Sequence, residues 1–246
     1  MKNRDSWKPS KYVYRKGKLR ASRDRSEVGA GSRLAADLVA GLYGTYVPQY
    51  ARGKLVDLGC GKVPLFEAYG GQVTENTCVD WPFSRHQNRY SDVVCDLNRP
   101  LPFPDGAFDT IILSDVLEHI PEPEKLWQEM HRIASVRGKL IMNVPFYYPL
   151  HEQPHDYYRY SEHALRRFAR QAGFTVLVLK PVGGSLEIMV DMLAKHLQFI
   201  PLIGRPLCLA LQHSAYAFIR TRVGSRLSER TAQSLPFGYF LVAEKE

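Results

Sequence analysis

The chain has 246 residues, 45% of them hydrophobic and 24% charged, enough for one globular domain with its own core plus an appendage. It opens on a polar, basic stretch instead of an apolar leader, and its four cysteines (Cys60, Cys78, Cys95, Cys208) form no C-x-x-C pair. Together these argue against export, a disulfide frame or a cysteine metal clamp, and for a reducing, cytoplasmic setting.

The net charge of +8 suggests a polyanionic partner until it is mapped. Residues 1–25 hold ten of the 33 Lys and Arg against Asp5 and Asp24, and the remainder balances at 23 basic and 23 acidic residues. Residues 1–30 therefore read as a basic arm dotted with Trp7, Tyr12 and Tyr14. Such an arm is either a solvated tail or a contact for anionic lipid, nucleic acid or a phosphorylated substrate.

From residue 32 to 50 the apolar positions Leu34, Leu38, Leu42 and Val47 recur at helical spacing. Strands are expected at 54–58, 77–80, 92–95 (the weakest), 108–114, 139–144, 174–179 and 237–243, with helices at 64–69, 123–134 and 161–171. Ser161 caps the last of these helices and Gly173 ends it. The alternation predicts an α/β fold: a Rossmann-like, mostly parallel seven-stranded sheet with helices on both faces and an antiparallel last strand.

The strand at 54–58 runs into Asp57-Leu58-Gly59-Cys60-Gly61, where glycine lets backbone pass close to a ligand. Asp80 ends the next apolar strand 23 residues after Asp57, the place for an acid that accepts hydrogen bonds from ribose hydroxyls. A dinucleotide site is disfavoured, because the third glycine of G-x-G-x-x-G would fall at Pro64.

With VDLGCG, the acid of CVDW, CDLNRPLPFPDGAFDTIILSDVLEHI and RGKLIMNVPF in place, the sequence resembles the class I S-adenosylmethionine-dependent methyltransferases of the type 11 group. Its DLGCGKVPL and HEQPHDYYRYS stretches resemble bacterial members associated with surface-polysaccharide genes. The resemblance covers roughly residues 30–180. It implies that Asp57, Gly59 and Gly61 surround the methionine part of S-adenosylmethionine, that Asp80 holds the ribose and that Trp81 flanks the adenine. It further implies Asp96 and Leu97 at the adenine edge, Ser114 and Asp115 near the sulfonium, and His119 one turn deeper. Glu118 and His119 read equally well as the start of a helix.

Ligands of an open parallel sheet sit beyond the carboxyl ends of the strands, so residues 146–160 hang over the transferred methyl. Their aromatic and hydrogen-bonding content suits a polyhydroxylated acceptor. Methyl transfer rests on alignment, and a hydroxyl acceptor also needs a base. His151 comes first for that role, then His155, with Asp156 as an orienting carboxylate. His151-Glu152-Gln153-Pro154-His155 matches H-E-x-x-H, but Pro149 and Pro154 oppose the continuous helix that a zinc site of that pattern requires. No metal is expected.

The domain proper is expected over 31–246, with a helical apolar insertion at about 181–236. There Leu186, Met189, Val190, Leu193, Leu197 and Ile200 form a stripe, and 206–219 carries no formal charge. The insertion is a packed lid, a dimer contact or an in-plane membrane anchor flanked by Arg205, Arg220, Arg222 and Arg226. The expected activity is methylation of a hydroxyl on a sugar or other small acceptor, including a lipid-linked glycan, with peripheral membrane contact through the basic arm and 186–222. The alternatives are an RNA or DNA methyltransferase using the arm, or a cofactor-binding regulator without catalysis. Against nucleic acid, the tip after 108–114 reads Ser114-Asp115-Val116-Leu117, not an (Asp/Asn)-Pro-Pro-aromatic tip, and no Pro-Cys nucleophile occurs.

Overall fold

The computed structural model describes residues 1–85 and 88–246. After a short hairpin, β1 (Tyr12–Arg15) and β2 (Lys18–Ala21), comes α1 (Arg33–Tyr50). There follow β3 (Gly53–Leu58), the one-turn α2 (Phe66–Tyr69), β4 (Val73–Asp80), β5 (Val93–Val94) and β6 (Phe108–Ser114). Next are α3 (Pro123–Ile133), β7 (Ala134–Pro145), α4 (Glu162–Gln171) and β8 (Phe174–Val182). The chain ends with α5 (Ser185–Leu197), α6 (Gly204–Ile219), α7 (Arg222–Ala232) and β9 (Gly238–Lys245).

The main sheet has the order β5-β4-β3-β6-β7-β9-β8. The pairs from β5 to β7 are parallel, and β9 runs antiparallel to both β7 and β8. This is the expected Rossmann-like architecture. Alternation along the strands feeds two cores, one on each face. Leu55 and Ile112 join Tyr43 of α1 and Phe240, whereas Val56, Ile111 and Leu113 join Leu126, Trp127 and Met130 of α3 and Leu165 of α4.

Element edges differ from the sequence expectation where backbone pairing, not hydrophobic pattern, decides. β4 begins at Val73 because its polar residues still ladder onto β3. β7 starts at Ala134 through a register shift against β6, and the helix expected at 64–69 keeps only its last turn. The strand expected at 92–95 keeps only Val93 and Val94.

The basic N-terminal segment is not a free tail. Tyr12, Leu19 and Ala21 are buried against α1, Asp37 accepts from Ala21 N at 2.9 Å and from Arg23 at 2.8 Å, and Trp7 Nε1 donates to Lys62 O at 3.2 Å. Burying the apolar side chains of the hairpin offsets the entropy of ordering it, and its cationic ends stay in water. Helices α5 and α6 pack on the start of α1, and α7 packs on α5 and α6. The link is the buried Gln212, which accepts from Leu34 N at 2.7 Å and donates to Ala30 O.

Candidate active site

The carboxyl ends of β3, β4, β6 and β7 form one edge. Gly59 follows β3 with φ 75° and Gly61 with φ 51°. A Cβ on Gly59 would stand 2.5 Å from Val116 Cγ2, so only glycine fits both the backbone and the packing. Val63 closes the loop at φ 51°, a costly conformation for a buried β-branched residue.

Asp57 lies inside this edge, 3% exposed, and accepts from Tyr69 Oη at 3.3 Å. Burial pushes its carboxyl up to about 7, against the Tyr69 hydrogen bond. Asp80 ends β4 beside it, also buried. Its Oδ1 takes the Trp81 amide at 2.9 Å, and its Oδ2 is buried without a partner. Trp81 stands 5.1 Å from both Phe83 and His155, ring to ring. Asp96 holds its own turn by accepting from Asn98 N at 3.0 Å and from Asn98 Nδ2 at 2.7 Å, and Leu97 is in the core.

Beyond the tips of β6 and β7 opens a cavity of about 350 Å³. Its walls come from distant parts of the chain: Lys11 and Tyr12, residues 27–29, α1, Asp115, Glu118, Asn143, Tyr148, His151 and Phe237. Ser114 pairs with Asn143 across β6 and β7, which leaves Asp115 on the rim at φ 54°. Asp115 takes Lys11 Nζ at 2.6 Å and Asn143 Nδ2. Burial raises the Asp115 carboxyl, but the Lys11 charge and these hydrogen bonds outweigh it and hold it below its ordinary range. Lys11 answers in kind: burial lowers it, and Asp115 more than compensates. Tyr12 Oη and Asn143 Oδ1 are buried in the same wall without partners.

Glu118 is fully buried, with neither carboxylate oxygen hydrogen-bonded. His151 Nε2 lies 3.5 Å and His119 Nε2 3.8 Å from its Oε1. Burial raises the Glu118 carboxyl. His151 is also flanked by Asp156, 3.4 Å from its Nδ1. Burial lowers the His151 imidazole, and the neighbouring Glu118 and Asp156 carboxylates overcome that and raise it. Asp156 is pinned low by Arg159, which donates to it at 2.6 and 2.8 Å.

The structure therefore brings His151 and Asp156 together and seats His151 in the cavity. His151, expected as the general base, thus sits between two carboxylates that favour its protonated form. His155 lies elsewhere: its ring meets Trp81 and lies 3.1 Å from Tyr157 Oη, outside the cavity lining. No helix spans 151–155, so the H-E-x-x-H geometry is absent. Sequence reasoning missed Lys11 and Tyr12, which reach the site from more than 100 residues away. It also missed Glu118 as the partner of His151, although the adjacent Glu118-His119 pair was a signal.

Comparison with known proteins agrees with the fold. Residues 56–142 match the family described as methyltransferase domain. Uncharacterized methyltransferases of Mycobacterium sp. strain JLS and Mycobacterium leprae strain TN are each 32% identical over 76 residues, 30% of this chain. That match spans only 30% and 28% of the length of those two relatives. A solved S-adenosylmethionine-dependent methyltransferase from Mesorhizobium loti superposes with TM-score 0.55 at 14% identity, over 86% of this chain and 100% of that one. The [4+2]-cyclase SpnF also gives 0.55, at 19% identity over 96% and 86%. A geranyl diphosphate methyltransferase in complex with SAM gives 0.53 at 12% identity over 91% and 93%. Residues 56–142 thus resemble a methyltransferase domain, and the fold around them is one that solved methyltransferases and a cyclase share.

Proposed function

We propose that this protein transfers a methyl group from S-adenosylmethionine to a hydroxyl of a sugar or other small polar acceptor. The domain match and the named neighbours support the donor, and so does the fit of the residues. Asp80 Oδ2 is a buried, unpartnered acceptor at the end of β4, suited to ribose hydroxyls, and the left-handed Gly59 and Gly61 shape the loop beside it. Because a cyclase shares the fold, the site and not the fold must carry the reading.

The observation that carries the acceptor class is the wall of the cavity beyond β6 and β7. Tyr12 Oη, Asn143 Oδ1 and both Glu118 oxygens are buried there without partners, and a bound polar acceptor would satisfy them. Bound at the glycine loop, S-adenosylmethionine supplies an electrophilic methyl on a sulfonium. Residues of the cavity align the acceptor hydroxyl and exclude water. Asp115, steadied by Lys11 and Asn143, fixes the rim between the two sites. The hydroxyl must lose its proton as its oxygen bonds carbon, and the Glu118–His119–His151 cluster faces that step.

A lipid-linked acceptor of the kind made by surface-polysaccharide pathways fits the surroundings. The turn after α5 exposes Phe199 and Leu202, 80% and 98% open, with Ile203 and Arg205 beside them. α5 reaches the cavity wall through Lys195, whose Nζ sits 4.0 Å over the Tyr148 ring. No described helix is long and apolar enough to cross a membrane, so this turn would lie in the interface plane.

The test is incubation with methyl-labelled S-adenosylmethionine and a panel of free sugars, lipid-linked glycans and RNA, read by mass spectrometry. O-methylated sugar is expected. Methylated RNA would overturn the acceptor class, and cofactor binding without turnover on any acceptor would mark a regulator.

A further inference from the structure

We infer that Glu118, His119 and His151 form a binding site for one divalent first-row transition ion. The site belongs to the acceptor cavity, and the inference rests on the proposed function for the role of the ion, though not for its binding. The three residues each offer one donor atom, and these atoms lie within 4.8 Å of one another.

The hydrogen bonds fix which atoms those are. His119 Nδ1 lies 2.6 Å from His155 O. A carbonyl oxygen can only accept, so Nδ1 carries the hydrogen and the neutral ring presents its Nε2 lone pair. His151 Nδ1 lies 3.3 Å from Pro149 O and 3.4 Å from Asp156 Oδ2, again acceptors only, so its Nε2 also faces inward. Both Nε2 atoms point at Glu118 Oε1, from 3.8 and 3.5 Å. An outer oxygen on Nδ1 with Nε2 turned to the centre is how metal-bound histidines are held.

A proton alone satisfies this cluster poorly. Placed on His151 Nε2 it would bridge 3.5 Å to Glu118, well beyond the roughly 2.7–2.9 Å of a charge-assisted bond. It would also leave the His119 Nε2 lone pair facing a carboxylate that is fully buried with neither oxygen hydrogen-bonded. A cation bonded at about 2.0–2.2 Å to each atom needs donor separations of roughly 3–3.5 Å. The two contacts to Glu118, at 3.5 and 3.8 Å, are already close to that, and the two imidazoles, within the 4.8 Å that bounds the set, must close on each other. Two imidazoles and one carboxylate suit Zn²⁺, Co²⁺, Fe²⁺ or Mn²⁺ over Ca²⁺. All three residues line the acceptor cavity, so the open positions of the ion would face the acceptor. The sequence-based expectation of no metal rested on Pro149 and Pro154 breaking a helix through His151 and His155, whereas the partners of His151 come from the segment after β6.

The test is titration of EDTA-treated full-length protein with Co²⁺ alone, read by visible absorption and calorimetry. One saturable equivalent with ligand-field bands is expected, displaced by Zn²⁺. His119→Ala and His151→Ala should each weaken it more than about 10-fold, Glu118→Gln likewise, and the exposed His213→Ala should leave it unchanged. Zn²⁺ should raise the thermal midpoint of the wild type and not of the variants. No saturable binding by folded wild type, or undiminished binding by both His119→Ala and His151→Ala, would overturn the site. Calorimetry with S-adenosylmethionine on the same samples separates the two readings. Methyl-donor binding without Co²⁺ binding removes only the ion, and Co²⁺ binding without methyl-donor binding removes only the proposed function.

Discussion

Replacing Lys11 by Met should destabilise the fold because it strips Asp115 of its cation while keeping the length of the side chain. Exposed ion pairs contribute about 0.2–1 kcal/mol, and removing one partner of a fully buried pair costs about 3–5 kcal/mol. Here the contact is 2.6 Å, with Lys11 40% and Asp115 27% exposed, so we expect about 1–2 kcal/mol. Asp115→Asn should be milder, since Asn tolerates the left-handed backbone at this position and keeps an acceptor for Asn143. The double variant should be no worse than Lys11→Met, giving a coupling near 1 kcal/mol in a double-mutant cycle. Urea unfolding of the four proteins measures it. Additivity within about 0.3–0.5 kcal/mol would mean that the hairpin contact carries no energy, and the arm would lose its standing as a wall of the site.

Two further outcomes follow from the geometry. Gly59→Ala should cost roughly 2–4 kcal/mol, combining the left-handed penalty with overpacking against Val116; chemical denaturation within 0.5 kcal/mol of wild type would refute the close approach. Glu129 accepts from Leu101 N at 2.7 Å and from Arg132 at 2.8 and 2.7 Å, bonds that hold its carboxyl below the ordinary value of 4.5. A depressed carboxylate stabilises the fold above its unfolded pKa, and that share is lost as pH falls through its folded pKa. Glu129→Gln should therefore cost about 1–2 kcal/mol at pH 7, with the gap to wild type closing below pH ~4; a gap constant from pH 7 to 3 would contradict the ionic origin.

The fold was legible because each core strand alternates between two buried faces, as Leu55 and Val56 or Ile111 and Ile112 do. The place of Asp80 at the end of β4 was legible because the apolar run at 77–80 stops on an acid. What stayed hidden was set by contacts distant in sequence. Nothing local marks Lys11 as the partner of Asp115, or Glu118 as the carboxylate facing His151, because both pairings are products of topology. His155 lies only four residues from His151, yet the turn between them points its imidazole toward Trp81.

The most direct measurement is calorimetric titration of the purified protein with S-adenosylmethionine and, separately, NAD. The account predicts saturable binding of the sulfonium compound and none of NAD. Asp80→Ala should weaken that binding by about 1.5–3 kcal/mol, the range for hydrogen bonds to a charged group. Binding of NAD in place of S-adenosylmethionine, or methyl-donor affinity indifferent to Asp80, would contradict it.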